Sequence, residues 1–129
     1  MNDKSKDIRK NAADKLGDVG VASQTAISTL VEALNDDSED VRYNAVDALG
    51  SIGERLFNAG ESAEAVISGL LNALHDESED VRRNAADELG DTKASSPAVI
   101  EALTKALNDE SKSVRREATK TLEKIETPE

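Results

Sequence analysis

Side chains able to do acid–base, nucleophilic or metal chemistry are scarce in this chain. His75 is the sole histidine, Tyr43 the sole tyrosine and Phe57 the sole phenylalanine, and there is neither cysteine nor tryptophan. The absence of cysteine removes thiol nucleophiles, thiolate metal sites and a disulfide-stapled scaffold together. No Ser-His-Asp set and no glycine-rich phosphate loop can be assembled, and His75 aligns with the polar Asn35 and Asn108, which marks it as an exposed helix end. Carboxylates are abundant, 27 against 16 basic side chains, for a net charge of -11. A calcium loop needs oxygen ligands at set positions around a glycine turn. The stretches DDSED, HDESED and NDES lack that arrangement and read as helix-capping, solubilising segments. The charge repels phosphate backbones and anionic head groups, so neither nucleic acid nor a membrane is expected as a partner. No cofactor and no metal is implied. The types enriched at protein-binding hot spots are present as Tyr43, Arg83 and Arg116.

The elements that position those three come from self-comparison. SKDIRKNAADKLG from Ser5, SEDVRYNAVDALG from Ser38, SEDVRRNAADELG from Ser78 and SKSVRREATKTLE from Ser111 superimpose without gaps, and AISTLVEALNDD, AVISGLLNALHDE and AVIEALTKALNDE precede the last three. In the first kind of segment, helix A, Ile27, Leu30, Val31 and Leu34 recur at i, i+3, i+4, i+7, as do Ile67, Leu70, Leu71 and Leu74; Ile100, Leu103 and Leu107 follow, with Thr104 interrupting. In the second, helix B, Val41, Ala45, Leu49 and Ile52 make one stripe. The serines that open each B segment are placed to act as N-caps, and Gly17, Gly50 and Gly90, which follow the last leucine, suit C-terminal caps or tight turns. The expected fold is all-α, a right-handed solenoid of antiparallel helix pairs with about seven helices. The chain forms one domain, 1–129, with a leading half repeat at 1–20, repeats at about 22–53, 62–93 and 95–126, and an insertion at about 54–61.

Opposite the core, each B helix carries the second, third and sixth residues after its first apolar position. These are Lys10, Asn11 and Asp14; Tyr43, Asn44 and Asp47; Arg83, Asn84 and Asp87; and Arg116, Glu117 and Lys120. They form the candidate partner-binding stripe. Two irregularities stand beside it. The insertion adds seven residues around ERLFNAGESA, nearly two helical turns, and Leu56 continues the apolar stripe, so an extended helix is favoured over a loop presenting Leu56 and Phe57. The leading helix B has no helix A before it, leaving Ile8, Leu16 and Val19 uncovered for upstream repeats, a partner or a second copy. At the other end Thr119, Glu123 and the final TPE read as a stop.

A helix pair with Asp before helix B and Val-Arg at its start resembles the HEAT repeat, in particular its short PBS-lyase HEAT-like form. The residues carrying the likeness are Asp36 with Val41-Arg42, Asp76 with Val81-Arg82 and Asp109 with Val114-Arg115, and Asp3 stands six residues before Arg9. Glu39 and Glu79 replace the proline usual near the start of helix B. The resemblance implies an Asp–Arg ladder between neighbouring repeats and a concave side lined by B helices. It implies a non-catalytic scaffold that binds a protein partner there. Two other roles follow from the same likeness: a phycobilin lyase or lyase-like chromophore handler, and a structural oligomerisation segment of a longer repeat protein. Deoxyhypusine hydroxylase, a HEAT-repeat metalloenzyme, relies on recurring His-Glu pairs, whereas here His75 is followed by Asp76. HEAT-like DNA glycosylases use a basic, aromatic groove that this acidic chain lacks. The N-terminal MNDKSKDIRK has no apolar signal core, and the expected location is the cytoplasm.

Overall fold

A computed structural model describes residues 3–19, 24–93 and 95–126. Seven helices follow one another, with no strand among the described residues: α1 (Asp3–Val19), α2 (Gln24–Ala33), α3 (Glu39–Asn58), α4 (Glu64–Ala73), α5 (Glu79–Asp91), α6 (Pro97–Ala106) and α7 (Lys112–Glu126). Helices α2, α4 and α6 are the A type, and α1, α3, α5 and α7 the B type. Each A helix packs on the B helix that follows it. Along the stack α1, α3, α5 and α7 touch in sequence, while the A helices barely meet. A two-layer stack bends toward its tighter row, so the B helices form the inner layer.

One continuous core runs between the layers. Leu30, Leu49, Ile52, Leu70, Leu89 and Leu103 are fully buried, with Val41, Val81 and Val114 at the start of their B helices. Ile8 occupies the register of those valines in α1 and is 65% exposed, with no A helix packed on it among the described residues. The side chains of Leu16 and Val19, expected to share that uncovered face, and the final TPE segment lie outside the described residues.

The helix starts obey local chemistry. Ser38, Ser78 and Ser111 each accept a hydrogen bond from the amide three residues on, at Val41, Val81 and Val114. Ser5 does not cap. It lies inside α1, and its hydroxyl accepts from Arg9 Nη1 at 2.8 Å. The corresponding guanidinium nitrogen of Arg42 donates to the loop carbonyls of Asp36 and Asp37, which α1 cannot offer because its chain is already helical there.

The glycines correct a second expectation. Gly17, Gly50 and Gly90 lie within α1, α3 and α5 and cap nothing. Gly50 is a contact point, since a Cβ there would lie 1.7 Å from Glu88 Oε1. A Cβ on Gly90 would stand 3.3 Å from Thr121 Cγ2. The real cap after α3 comes ten residues later than Gly50. Helix α3 continues through Gly53 to Asn58, as the extended-helix reading expects, and ends at Gly60 with φ of 72°. There Gly60 N–H donates to Phe57 O and Glu61 N–H to Leu56 O, the paired bonds of a Schellman turn. Leu56 is buried, and Phe57 is exposed with its ring 5.9 Å from Lys93 Nζ.

Candidate functional site

Two rows of side chains cross the B helices, and the structure separates what holds the stack together from what faces outward. The first row is the Arg–Asp ladder. Arg9 donates through Nε and Nη2 to Asp36 at 2.7 and 3.0 Å. Arg42 reaches Asp76 in the same way at 2.9 and 3.3 Å, and Arg82 reaches Asp109 at 2.9 and 3.0 Å. Each aspartate also accepts the backbone N–H two residues on, from Ser38, Ser78 and Ser111. Two of the three rungs are buried, with side-chain exposures of 9% and 10% in the middle one. The Arg9 bond holds the Asp36 carboxyl below its usual range. For Asp109, burial pushes upward, but Arg82 and the Ser111 amide outweigh it and leave the carboxyl lowered. A parallel link joins the caps: Ser78 Oγ donates to Glu39 and Ser111 Oγ to Glu79, each cap serine bonding to the preceding repeat.

The second row is the predicted stripe, on the side of the B helices turned away from the A layer. Lys10 and Tyr43 are half-buried, Arg83 is half-buried and paired with Asp80 at 3.2 Å, and Arg116 is exposed. Asn11 and Asp14 are exposed, as is Lys120, whose Nζ lies 4.0 Å from Glu117. The asparagine register does a different job from the one expected. Asn44 Nδ2 donates to Lys10 O, and the buried Asn84 donates to Tyr43 O and to Asp47 Oδ1 at 2.9 Å. These amides stitch one B helix to the previous one. They are committed to the stack, and Asn84 in particular offers no surface to a ligand.

Carboxyl chemistry concentrates beside that row. Glu88 extends over Gly50 toward Asp47, and Glu117, which holds the asparagine register in α7, meets Asp87. Burial first, then the neighbouring Asp91, Asp47 and Asp87, pushes the Glu88 carboxyl up to about 9. Burial and Asp87 also raise Glu117, with Lys120 and Lys124 opposing. An open depression of about 420 Å³ lies over Asp87, Glu117, Lys120, Thr121, Glu123 and Lys124. Glu88 is absent from the predicted stripe. Its signal in the sequence is a charged residue where the previous B helix has Ala48, two positions before Gly90.

Among the described residues no group of three His, Asp or Glu side chains is arranged to hold a metal ion, and no helix is long and apolar enough to cross a membrane. His75 is exposed in the turn after α4.

HEAT repeats are matched over residues 1–64 and 67–129. No curated protein matches the chain in sequence. Among solved structures, the chain is similar to human deoxyhypusine hydroxylase in complex with glycerol, at 26% identity and a TM-score of 0.66, covering 81% of this chain and 33% of that one. It is also similar to a designed armadillo repeat protein in complex with the peptide (KR)4, at 27% identity and a TM-score of 0.60, covering 78% of this chain and 47% of that one. The complex of CpcE and CpcF of phycocyanin lyase from Nostoc sp. PCC7120 shares the fold at 22% identity and a TM-score of 0.59, covering 93% of this chain and 60% of that one. The chain spans less than two thirds of the length of each of these structures.

Proposed function

We propose that this chain, which belongs to the HEAT-repeat family, is a non-catalytic scaffold that binds an extended, basic segment of a protein partner across the inner face of α1, α3, α5 and α7. HEAT and armadillo-like stacks commonly serve as protein-interaction scaffolds, presenting an extended concave surface made of many repeats. The observation that carries the reading is the division of labour just described: the Arg–Asp ladder and the asparagines hold the stack. Lys10, Tyr43, Arg116, Asn11 and Asp14 are left turned to solvent wholly or in part on the same face. The chemistry of the partner follows from charge. A net charge of -11 draws cationic segments toward the chain, and the exposed Asp14 lies on the face in the register of the half-buried Asp47 and Asp87, with Lys10, Arg83, Arg116 and Lys120 beside them. The designed armadillo neighbour, seen with a Lys-Arg repeat peptide, supports a basic occupant for a stack of this kind. Tyr43 would supply the anchoring ring, since a rigid aromatic gives contact area at low entropic cost.

The test is fluorescence anisotropy with a labelled (KR)4 peptide at low and high salt. Wild type is expected to bind, more weakly as salt rises, and Tyr43→Ala with Asp14→Asn to bind at least tenfold more weakly while keeping wild-type helix content. Equal binding by the double variant would move the site off this face. No binding by either protein would refute the basic occupant.

A further inference from the structure

The Arg–Asp ladder leaves two buried or half-buried carboxyls unexplained, one at each of the last two junctions between inner helices. Glu88 leaves α5 and lies over Gly50 of α3, in space that exists only because Gly50 has no side chain. Its carboxyl is within hydrogen-bonding reach of Asp47, whose Oδ1 already accepts from Asn84 Nδ2. A carboxylate accepts and cannot donate, so two carboxyls in contact need a proton between them. One junction further, Glu117 occupies the register of Asn84 and meets Asp87, which occupies the register of Asp47. At the first junction a neutral amide donates to the aspartate. At the second, a glutamic acid must carry a proton to do the same.

We propose that the α3–α5 and α5–α7 junctions are proton locks, in which Glu88 and Glu117 bond as neutral acids to Asp47 and Asp87, and loss of those protons drives the inner helices apart and loosens the stack. The surroundings favour the neutral form. Facing Glu88 are Asp47 from α3 and Asp87 and Asp91 from its own helix. Facing Glu117 are Asp87 from α5 and, from α7 itself, Lys120 and Lys124, the latter also 3.7 Å from Asp91. Among the described residues, no outer-helix charge belongs to the groups acting on either pair: α2 has only Glu32, α4 only Glu64, in its first turn, and in α6 Glu101 and Lys105 pair with each other at 3.8 Å. Ionising either lock would place two negative charges in contact, partly shielded from water, which is the arrangement that most disfavours a second ionisation.

The sign follows from linkage. A free glutamate loses its proton near 4.5, whereas Glu88 in the stack keeps its proton up to about 9. Across that interval the folded chain binds more protons than the unfolded chain, so stability falls as pH rises. The device needs no partner, and its failure would leave the scaffold reading untouched.

The test is carbon-13 NMR titration of glutamate side-chain carboxyls in the full chain, with Glu88→Gln and Glu117→Gln assigning the resonances, alongside thermal unfolding from about pH 5 to about pH 10. Glu88 is expected to titrate near 9. The midpoint of wild type should fall over that range more steeply than that of the Glu88→Gln, Glu117→Gln double variant. A Glu88 resonance that titrates with the ordinary carboxylates would overturn the proposal, as would identical pH slopes for the two proteins. If the double variant fails to fold, the wild-type titration decides alone.

Discussion

Replacing Arg42 with alanine removes more than an exposed ion pair. In the middle rung the two side chains are 9% and 10% exposed, and the guanidinium makes two bonds to Asp76 and two to the carbonyls of Asp36 and Asp37. Truncation leaves Asp76 with only the Ser78 amide as a donor and two loop carbonyls short of theirs. Cutting one side of a buried pair typically costs about 3–5 kcal/mol, because the abandoned charge stays desolvated. Some water reaches Asp76 and one donor remains, so the lower end, about 3 kcal/mol, applies here. For a domain of this size that corresponds to a fall in Tm of roughly 10 °C. The Arg9–Asp36 rung is the internal control: Arg9 is 35% exposed against 9% for Arg42, so water already competes for its bonds. Urea unfolding followed by far-ultraviolet circular dichroism reads both variants without needing a tryptophan. Arg42→Ala should show a much lower midpoint than Arg9→Ala, and a double-mutant cycle with Asp76→Asn should return a strong coupling. Equal midpoints for Arg9→Ala and Arg42→Ala, or a coupling near zero, would refute the claim that burial gives the rung its worth.

Other expectations are open to the same assay. Gly50→Ala gains helix propensity but drives a methyl into the Glu88 side chain, for a net loss of about 1–2 kcal/mol, whereas overpacking would be absent if Glu88 simply swung away. Ser78→Ala removes both the cap on Val81 and the bond to Glu39, and should cost about 1–2 kcal/mol; a loss no larger than that of Ser96→Ala, a cap without a cross-repeat bond, would count against the link. Lys93 closes α5 with φ of 59°, so Lys93→Gly should stabilise the chain by up to about 1 kcal/mol after loss of the contact with Phe57, and a destabilised variant would show the ring contact to dominate. In acid, Asp36 and Asp109, whose carboxyls are lowered in the stack, contribute stability that is present above the ordinary carboxylate range and lost as pH falls through their own titration. Thermal scans at mildly acidic pH should therefore give higher midpoints than scans at strongly acidic pH.

Much of the architecture was legible because its signals are local and repeated. The apolar periods gave seven helices, the cap serines at Ser38, Ser78 and Ser111 gave the starts of three B helices, and Leu56 showed that the third helix runs long. The likeness to HEAT repeats supplied the ladder, and the structure adds that its second and third rungs are buried. Errors arose where a residue answers to a neighbouring helix instead of to its own. Gly50 and Gly90 look like helix ends along the chain, yet they make room for Glu88 and Thr121 from the next helix. Asn84 sits opposite the core on a helical wheel, yet the inner helices lie so close that this position faces the preceding helix and is buried. Ser5 has the cap's sequence and lacks the loop that makes it one. In each case the missing information is the spacing between helices, which a wheel drawn for one helix does not contain.

The ladder has a consequence for how the stack comes apart. Asp76 bonds Arg42 of the preceding unit and the Ser78 amide of its own, so no repeat possesses a full complement of partners in isolation. The molecule is then a one-dimensional lattice whose cohesion resides in its links. Breaking the Arg9–Asp36 link loosens α1 and leaves the other two links intact. Breaking Arg42–Asp76 divides the lattice into two short blocks, each with a fresh end from which melting can advance. Two lesions of the same chemistry thus differ in the sharpness of the unfolding transition as well as its midpoint, and the order of the links along the chain becomes a thermodynamic property in its own right.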